Sequence, residues 1–247
     1  GKAGAVIIRA PILSVSGSQG LVESSSLGAG AGGLIDIDVT TLRVQGGSVI
    51  SSASAGPAPG GTINVVATDL NISGPGGLFT DSLAAGAAGN IAVVAKQITL
   101  ADGGQISAES QGTGDTGNIF IVANSLRSSG SSISAKSQSS GGGNIHLTIG
   151  KLLELNNSQI TTSVQGGAGQ GGVAELVLLV DVRSDIEKKP DPVLSPLLDG
   201  FHQRRMVALV DAIQIASPRG EKLDGDRGKV GEPEREVALV AIEIARG

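Results

Sequence analysis

The sequence predicts an all-β protein: a right-handed parallel β-helix (solenoid) with coils of about 28 residues and three short strands per coil, followed by an irregular charged C-terminal tail. Three observations predict this fold: a repeated word, an alternation of period two, and a core alphabet almost without aromatic residues. The word Gly-Asn-Ile occurs at 89–91, 117–119 and 143–145, and weaker copies start at Gly4, Gly33, Gly61 and Gly172. The successive spacings are 29, 28, 28, 28, 26 and 29 residues, which indicates stacked structural units.

The composition suits a narrow, regular interior. The chain has 247 residues with 39 Gly, three Phe and no Trp, Tyr or Cys, so its core must be built from Ile, Val, Leu and Ala. A net charge of −5 argues against nucleic acid as a partner. No apolar run reaches the roughly 18 residues that span a membrane, and no signal peptide begins at Gly1. We therefore expect a mature product or an internal fragment.

Each repeat has the same internal plan. An alternating stretch such as Ile35-x-Ile37-x-Val39 comes first, and a second apolar pair such as Ile98 and Leu100 follows. A turn then leads to words such as Ile106 to Ser110, before a loop rich in Gly, Ser, Ala and Gln. Alternation of period two is typical of strands with one buried face. Three short strands separated by turns make one coil, and seven coils would give a rod about 30 Å long.

Stacked coils predict columns of equivalent side chains along the rod. One aliphatic column is Ile35, Ile63, Ile91, Ile119 and Ile145, and a second is Ile50, Leu78, Ile106, Ile133 and Ile160. Asn90, Asn118 and Asn144 predict a structural ladder in which each amide bonds to its neighbour in the next coil. Ser54, Ser82, Ser110 and Ser137 predict a hydroxyl column, and the corner glycines are expected to supply positive φ.

Two features refine this prediction. In the sixth unit, Leu153 and Leu155 lie one place away from the expected second-strand pair, which indicates a bulge or a shifted corner. The hand is inferred from the repeat length. Left-handed solenoids usually repeat in multiples of six residues, and a unit of about 28 with Gly-Asn corners resembles the right-handed class.

The repeat alphabet changes near Gly172, so we divide the chain into a β-helix region at 1–177 and a charged tail at 178–247, partly disordered or atypical. Residues 173–247 hold 25 of the 41 charged residues but only six Gly. An echo persists in Val177-Leu178-Leu179, Val207-Ala208-Leu209 and Val237-Ala238-Leu239, at spacings of 30 and 30 residues. Two interpretations stay open: an atypical terminal cap, or repetitive coding DNA read in a shifted frame.

The repeated words resemble those of the filamentous haemagglutinin-like exoproteins, which are two-partner secretion products. The resemblance rests on the Gly-Asn-Ile units, the Ile-Ser-Ala-x-Ser words and the stretch 156–167, and it covers roughly residues 1–172. It implies a right-handed β-helix that is exported through an outer-membrane transporter and displayed as a surface fibre. The family's N-terminal secretion domain is not visible in this sequence, and residues 173–247 do not match the family.

Residues that could carry chemistry are few, and we predict no catalytic, cofactor-binding or metal site. Asp36 and Asp38 point outward from one strand, but the equivalent places in the next coils hold Asn64 and Val66, then Ala92 and Val94, so no carboxylate recurs beside them. Asp81, Asp102 and Asp115 lie in Gly-rich loops that lack the repeated calcium-binding nonapeptide. His146 and His202 have no evident second ligand for a metal ion.

These observations favour a secreted or cell-surface structural and adhesive protein. We expect the partners to be an outer-membrane transporter during export and, afterwards, glycans or proteins on host or neighbouring cells, bound by many weak contacts. Two alternatives stay open: a β-helix enzyme acting on polysaccharides as a lyase or hydrolase, and a passive spacer in a longer exoprotein. Three carboxylates and a basic residue converging in one groove would favour the enzyme.

Overall fold

The computed structural model describes residues 1–166, 170–179 and 207–209, and in this part of the chain every regular element is a strand, with no helix. The strands are β1 (Ala5–Ser16), β2 (Leu21–Glu23), β3 (Leu34–Gln45), β4 (Val49–Ser51), β5 (Thr62–Ser73), β6 (Gly77–Phe79), β7 (Ile91–Ala101), β8 (Gln105–Ser107), β9 (Ile119–Ser129), β10 (Ser132–Ser137), β11 (Ile145–Asn156), β12 (Gln159–Val164), β13 (Ala174–Leu179) and β14 (Val207–Leu209).

Two sheets of stacked strands build a solenoid. The first sheet has the order β1-β3-β5-β7-β9-β11-β13-β14, and the second has the order β12-β10-β8-β6-β4-β2. All pairings are parallel except that of β13 with β14. One long strand and one short strand make each coil, so the chain completes six coils, and β13 begins a seventh level. The parallel β-solenoid with a repeat of about 28 residues is therefore confirmed. Its right-handed sense stays a prediction from the length of the repeat.

Alternation buries one side of every long strand. The expected columns lie in parallel register, because Ile35 pairs with Ile63 and Ile63 pairs with Ile91, and all three side chains are fully buried. The same column continues through Ile119 and Ile145. The second column runs through Ile50, Leu78, Ile106, Ile133 and Ile160. Both columns face one continuous aliphatic core, so each coil adds apolar burial in the same places.

The strands within a coil are divided differently from the prediction. The first two expected strands form one strand of 11 or 12 residues, as in β5 and β7. Its pairing lapses for a single residue, because Val39 pairs with Ala67 and the next recorded pair is Thr41 with Asp69. The alternation of buried and exposed residues slips by one position there, and the ladder resumes at once. The third expected strand is short, and isolated bridges between buried serines extend it.

The glycines of the Gly-Asn-Ile words correct one expectation. Gly89 and Gly117 do not have positive φ; that conformation belongs to Gly17, Gly74 and other glycines in the turns after the long strands. Gly89 is needed instead because an added Cβ would lie 1.6 Å from the carbonyl oxygen of Gly61 in the preceding coil. Close approach of stacked backbones therefore selects glycine at this corner.

The slip expected in the sixth unit is confirmed as a register shift. Ile149 pairs with Ala123 but Leu152 pairs with Ser125, so β11 holds one extra residue there. Leu153 consequently takes the core place opposite Leu126.

Two of the three repeated tail segments, at 177–179 and 207–209, pair with each other in the structure. β13 stacks in parallel on β11, and β14 then pairs antiparallel with it, with Val177 opposite Leu209. The boundary predicted after residue 177 thus falls inside β13. The predictions for the remaining tail, including its disorder and His202, lie outside the described residues.

Candidate functional site

The most distinctive surface is the outer side of the long strands, over the half that begins each strand. Here Val66, Val94 and Val122 form one outward column on three adjacent levels, and each keeps nearly half of its side chain exposed. Phe120 lies beside them and is 42% exposed. We call this surface the valine face. An exposed apolar patch on a protein surface is typical of an interaction site.

Charged residues border the valine face at its N-terminal end. Asp36 and Asp38 point outward as expected, and Asp36 contacts Arg9 at 2.5 Å between Nη2 and Oδ2. The Nε of Arg9 also lies 3.9 Å from Asp38. The sequence reasoning missed Arg9, although it lies opposite Asp38 in the register of β1 and β3. All three groups are partly exposed, so this cluster contributes little to stability.

A second polar cluster borders the face at its C-terminal end. His146 lies outward, stacked on Phe120 with ring centroids 5.2 Å apart and planes inclined by 3°. Its Nδ1 lies 2.8 Å from the Glu175 carboxylate. This stack fixes the orientation of the imidazole ring at the edge of the valine face.

The asparagine ladder runs along one side of the valine face, and its hydrogen bonds differ from those expected. The backbone N–H of Asn118 donates to Oδ1 of Asn90 at 2.8 Å, and the backbone N–H of Asn144 donates to Oδ1 of Asn118 at 2.9 Å. Only Asn90 and Asn118 join their amide groups directly, at 3.4 Å. Each asparagine side chain thus accepts a hydrogen bond from the backbone N–H one coil further on, because that N–H has no strand partner at the corner.

A column of ionisable residues on the short-strand side is the feature that sequence reasoning missed. Asp81, Glu109 and Lys136 each precede a serine of the stacked series, so they occupy equivalent places on three successive coils. Oδ1 of Asp81 accepts from the hydroxyl of Ser107 at 3.1 Å and from the backbone N–H of Glu109 at 3.0 Å. We call these three residues the carboxylate column. It places two carboxyl groups on adjacent coils.

The other end of the column holds the cation. The Glu109 carboxylate accepts a hydrogen bond from the hydroxyl of Ser134, and its Oε1 lies 3.9 Å from Nζ of Lys136. The order along the rod is therefore acid, acid, base, with serine hydroxyl groups beside both acids. Among the described residues no cation contacts Asp81.

Burial raises the pKa of Asp81 to about 6, against hydrogen bonds that favour its charged form. The nearby Glu109 carboxylate adds to the rise by charge repulsion. A carboxyl group with such a pKa exchanges a proton near neutral pH, which is the property required of a general acid or base.

The signal for this column was present in the sequence. The predicted hydroxyl column aligns Ser54, Ser82, Ser110 and Ser137, and one residue earlier the same alignment reads Ala53, Asp81, Glu109 and Lys136. The Gly-rich sequence around Asp81 predicts a loop, and that prediction overlooks its ionisable neighbour on the next coil.

The other predicted positions have simple local roles. Asp102 lies in a turn with φ of 54°, and Asp115 accepts hydrogen bonds from Ser140 and from the backbone of Gly141. These two bonds lower the pKa of Asp115, with that of Ser140 contributing most. Among residues 1–166, 170–179 and 207–209, no group of three His, Asp or Glu side chains is arranged to hold a metal ion. The same residues include no helix able to cross a membrane.

Comparison with protein-family models, with curated proteins and with solved structures found no match for this chain.

Proposed function

We propose that this chain is the repeat shaft of a secreted or cell-surface protein of the filamentous haemagglutinin-like type, with a structural and adhesive role. The single observation that carries the proposal is the stack itself. Seven successive levels keep parallel register from β1 to β13, which corresponds to a rod about 29 Å tall between its end strands. Such a rod offers long, flat faces to a partner rather than an enclosed pocket.

The surface supports the adhesive part of the proposal. Two depressions on the described surface are open to solvent, and one of them is lined by Arg9, Asp38 and Val66. Flat faces bind through many weak contacts, and display of many copies multiplies such contacts by avidity. We propose export through an outer-membrane transporter, and glycans or proteins of host or neighbouring cells as the adhesive partners.

The adhesive role is tested by displaying the full chain at high density on beads. Binding would be measured to immobilised neutral, sialylated and sulfated glycans and to proteins extracted from cell surfaces. We expect density-dependent retention on at least one of these surfaces, and loss of retention for beads that carry heat-unfolded chain. Beads that bind none of them would refute the adhesive role and would favour the passive spacer.

A second candidate, an enzyme acting on polysaccharides, is favoured by the carboxylate column. Two carboxyl groups on adjacent coils, one of them with a raised pKa, are the groups that acid–base cleavage of a glycosidic bond requires. The column has two acids and one lysine, which is one acid fewer than the cluster expected of an enzyme. Incubation with neutral and acidic polysaccharides, followed by assay of new reducing ends, tests this candidate. Turnover that Glu109→Gln abolishes would replace the adhesive proposal with the enzyme.

A further inference from the structure

The valine face has an apolar centre and charged groups near both ends of the rod. Counting each long strand and β13 as one level, Val66, Val94 and Val122 occupy levels three, four and five. Charged groups lie at both ends of the same face, although the exposed Ile7 lies beside Arg9 on the first level. One end is marked by Arg9 on level one and by Asp36 on level two.

At the opposite end, His146 lies on level six and Glu175 on level seven, in the same outward column as Asp36. Level four is thus the centre of an apolar stretch with acids and a cation before it and an imidazole and an acid after it. A surface of this kind is suited to a second copy of itself in the reverse direction.

We propose that the valine face is a homodimer interface, in which a second copy packs antiparallel about a twofold axis at level four. This rotation reverses the rod and keeps the strand direction, so every outward column faces itself. Val94 then lies opposite the partner's Val94, and Val66 lies opposite the partner's Val122. The apolar residues of both copies are buried together at the centre.

Charge selects the antiparallel arrangement over the parallel one. In the antiparallel dimer Asp36 faces the partner's His146, and Arg9 lies within one outward position, about 7 Å, of the partner's Glu175. A parallel twofold dimer would instead set Asp36 against the partner's Asp38, and so gather four carboxylates on one level. Like charges brought together at an interface repel each other, which disfavours that arrangement.

The size of the face sets the expected affinity. Seven levels about 4.8 Å apart and three outward positions about 7 Å apart give a footprint of about 30 by 14 Å per copy. This is about 840 Å² for the two copies together, below the ~1,200 Å² of stable specific interfaces and in the range of weak, transient ones. We therefore expect a dimer that dissociates in the micromolar range, and the interface is independent of the adhesive role proposed above.

The first test is sedimentation of the full chain over a range of concentrations. We expect a reversible monomer–dimer equilibrium that Val94→Lys weakens at least about tenfold, because two lysines would meet at the axis. Thr99→Lys is the matched control, since Thr99 is exposed on the same strand but beyond the lapse in pairing after Ala95. It should leave the dimer unchanged, with circular dichroism verifying that both variants are folded. A chain that stays monomeric at the highest concentration, or a dimer equally weakened by both variants, would overturn the proposal.

The second test determines the direction of docking and uses the absence of cysteine from the chain. Single cysteines introduced in place of Val66 or Val122 would be joined by a bismaleimide whose span matches the ~10 Å spacing of packed sheets. Antiparallel docking predicts efficient linkage in a mixture of V66C and V122C and little in V66C alone, since the two thiols of a V66C dimer would lie two levels apart. Equal linkage in V66C alone would refute the proposed geometry.

Discussion

Replacing Asp81 by Asn should change how the stability of the fold depends on pH. Burial raises the pKa of Asp81 to about 6 in the folded chain, against a reference value of 3.8. The folded state therefore binds more protons than the unfolded state between about pH 4 and pH 6. It follows that the free energy of unfolding falls as pH rises through this window, and that the loss is complete above it.

The size of the effect follows from the shift. About two pKa units correspond to roughly 3 kcal/mol, which is an upper estimate because hydrogen bonds adjust when the group ionises. Asn keeps an Oδ1 that accepts from Ser107 and from the backbone of Glu109, but it carries no charge to desolvate. D81N should therefore gain up to roughly 3 kcal/mol over wild type at pH 8, relative to the difference between them at pH 3.5.

The assay is denaturant unfolding at several pH values, followed by far-ultraviolet circular dichroism because the chain has no Trp or Tyr. The quantity of interest is the stability of D81N minus that of wild type, since other carboxyl groups then cancel. Asp102→Asn is the control, because Asp102 is exposed in a turn whose positive φ suits Asn. A D81N difference that is the same at pH 3.5 and pH 8 would refute the assignment of a buried, proton-binding carboxyl group.

Three further predictions concern the stack. Gly89→Ala should destabilise the fold by about 3 kcal/mol or more, because the new Cβ collides with a backbone oxygen of the preceding coil. Gly4→Ala is the control and should cost far less, because no atom lies within 4 Å of its added Cβ. Thermal unfolding measures both variants. Ser52→Ala should cost about 1–2 kcal/mol, because its buried hydroxyl donates to a backbone carbonyl at 2.6 Å. Ser82→Ala should be neutral or stabilising, because no partner for that hydroxyl lies among the described residues. Equal losses of stability in denaturant melts would contradict this difference. Asn118→Ala should cost about 1 kcal/mol and increase amide hydrogen exchange at the backbone N–H bound to its side chain, and unchanged exchange would argue against the ladder.

The columns of the core could be predicted because parallel stacking turns a sequence spacing into a spatial neighbour. Ile63 and Ile91 are 28 residues apart in the chain and directly paired in the sheet. Nothing beyond the period and the alternation is needed for that inference. The slip in the sixth unit was predictable for the same reason. One extra residue moves Leu153 one number away from the expected spacing, and β11 absorbs it as a register shift.

Other features depend on distances that a repeat pattern does not contain. The glycine before Asn90 was expected to need a special φ, but the reason is the close approach of the preceding coil's backbone. The side-chain amides were expected to bond to one another, but the backbone N–H at the corner competes for the same acceptor. In both cases the atoms involved belong to the main chain, whose path at a corner is not encoded by the apolar pattern.

The carboxylate column also allows the adhesive and enzymatic functions to be separated without a known ligand. Asp81 exchanges a proton near neutral pH, while Glu109, one coil further on, has Lys136 as its nearby cation. An adhesive shaft uses neither property, so D81N should leave bead retention intact while it removes the cost of burying a charge. An enzyme would lose its acid in the same variant and would fail in turnover although its fold became more stable. A stabilised variant with unchanged adhesion therefore assigns the column to the structure of the rod, and a stabilised but inactive variant assigns it to catalysis.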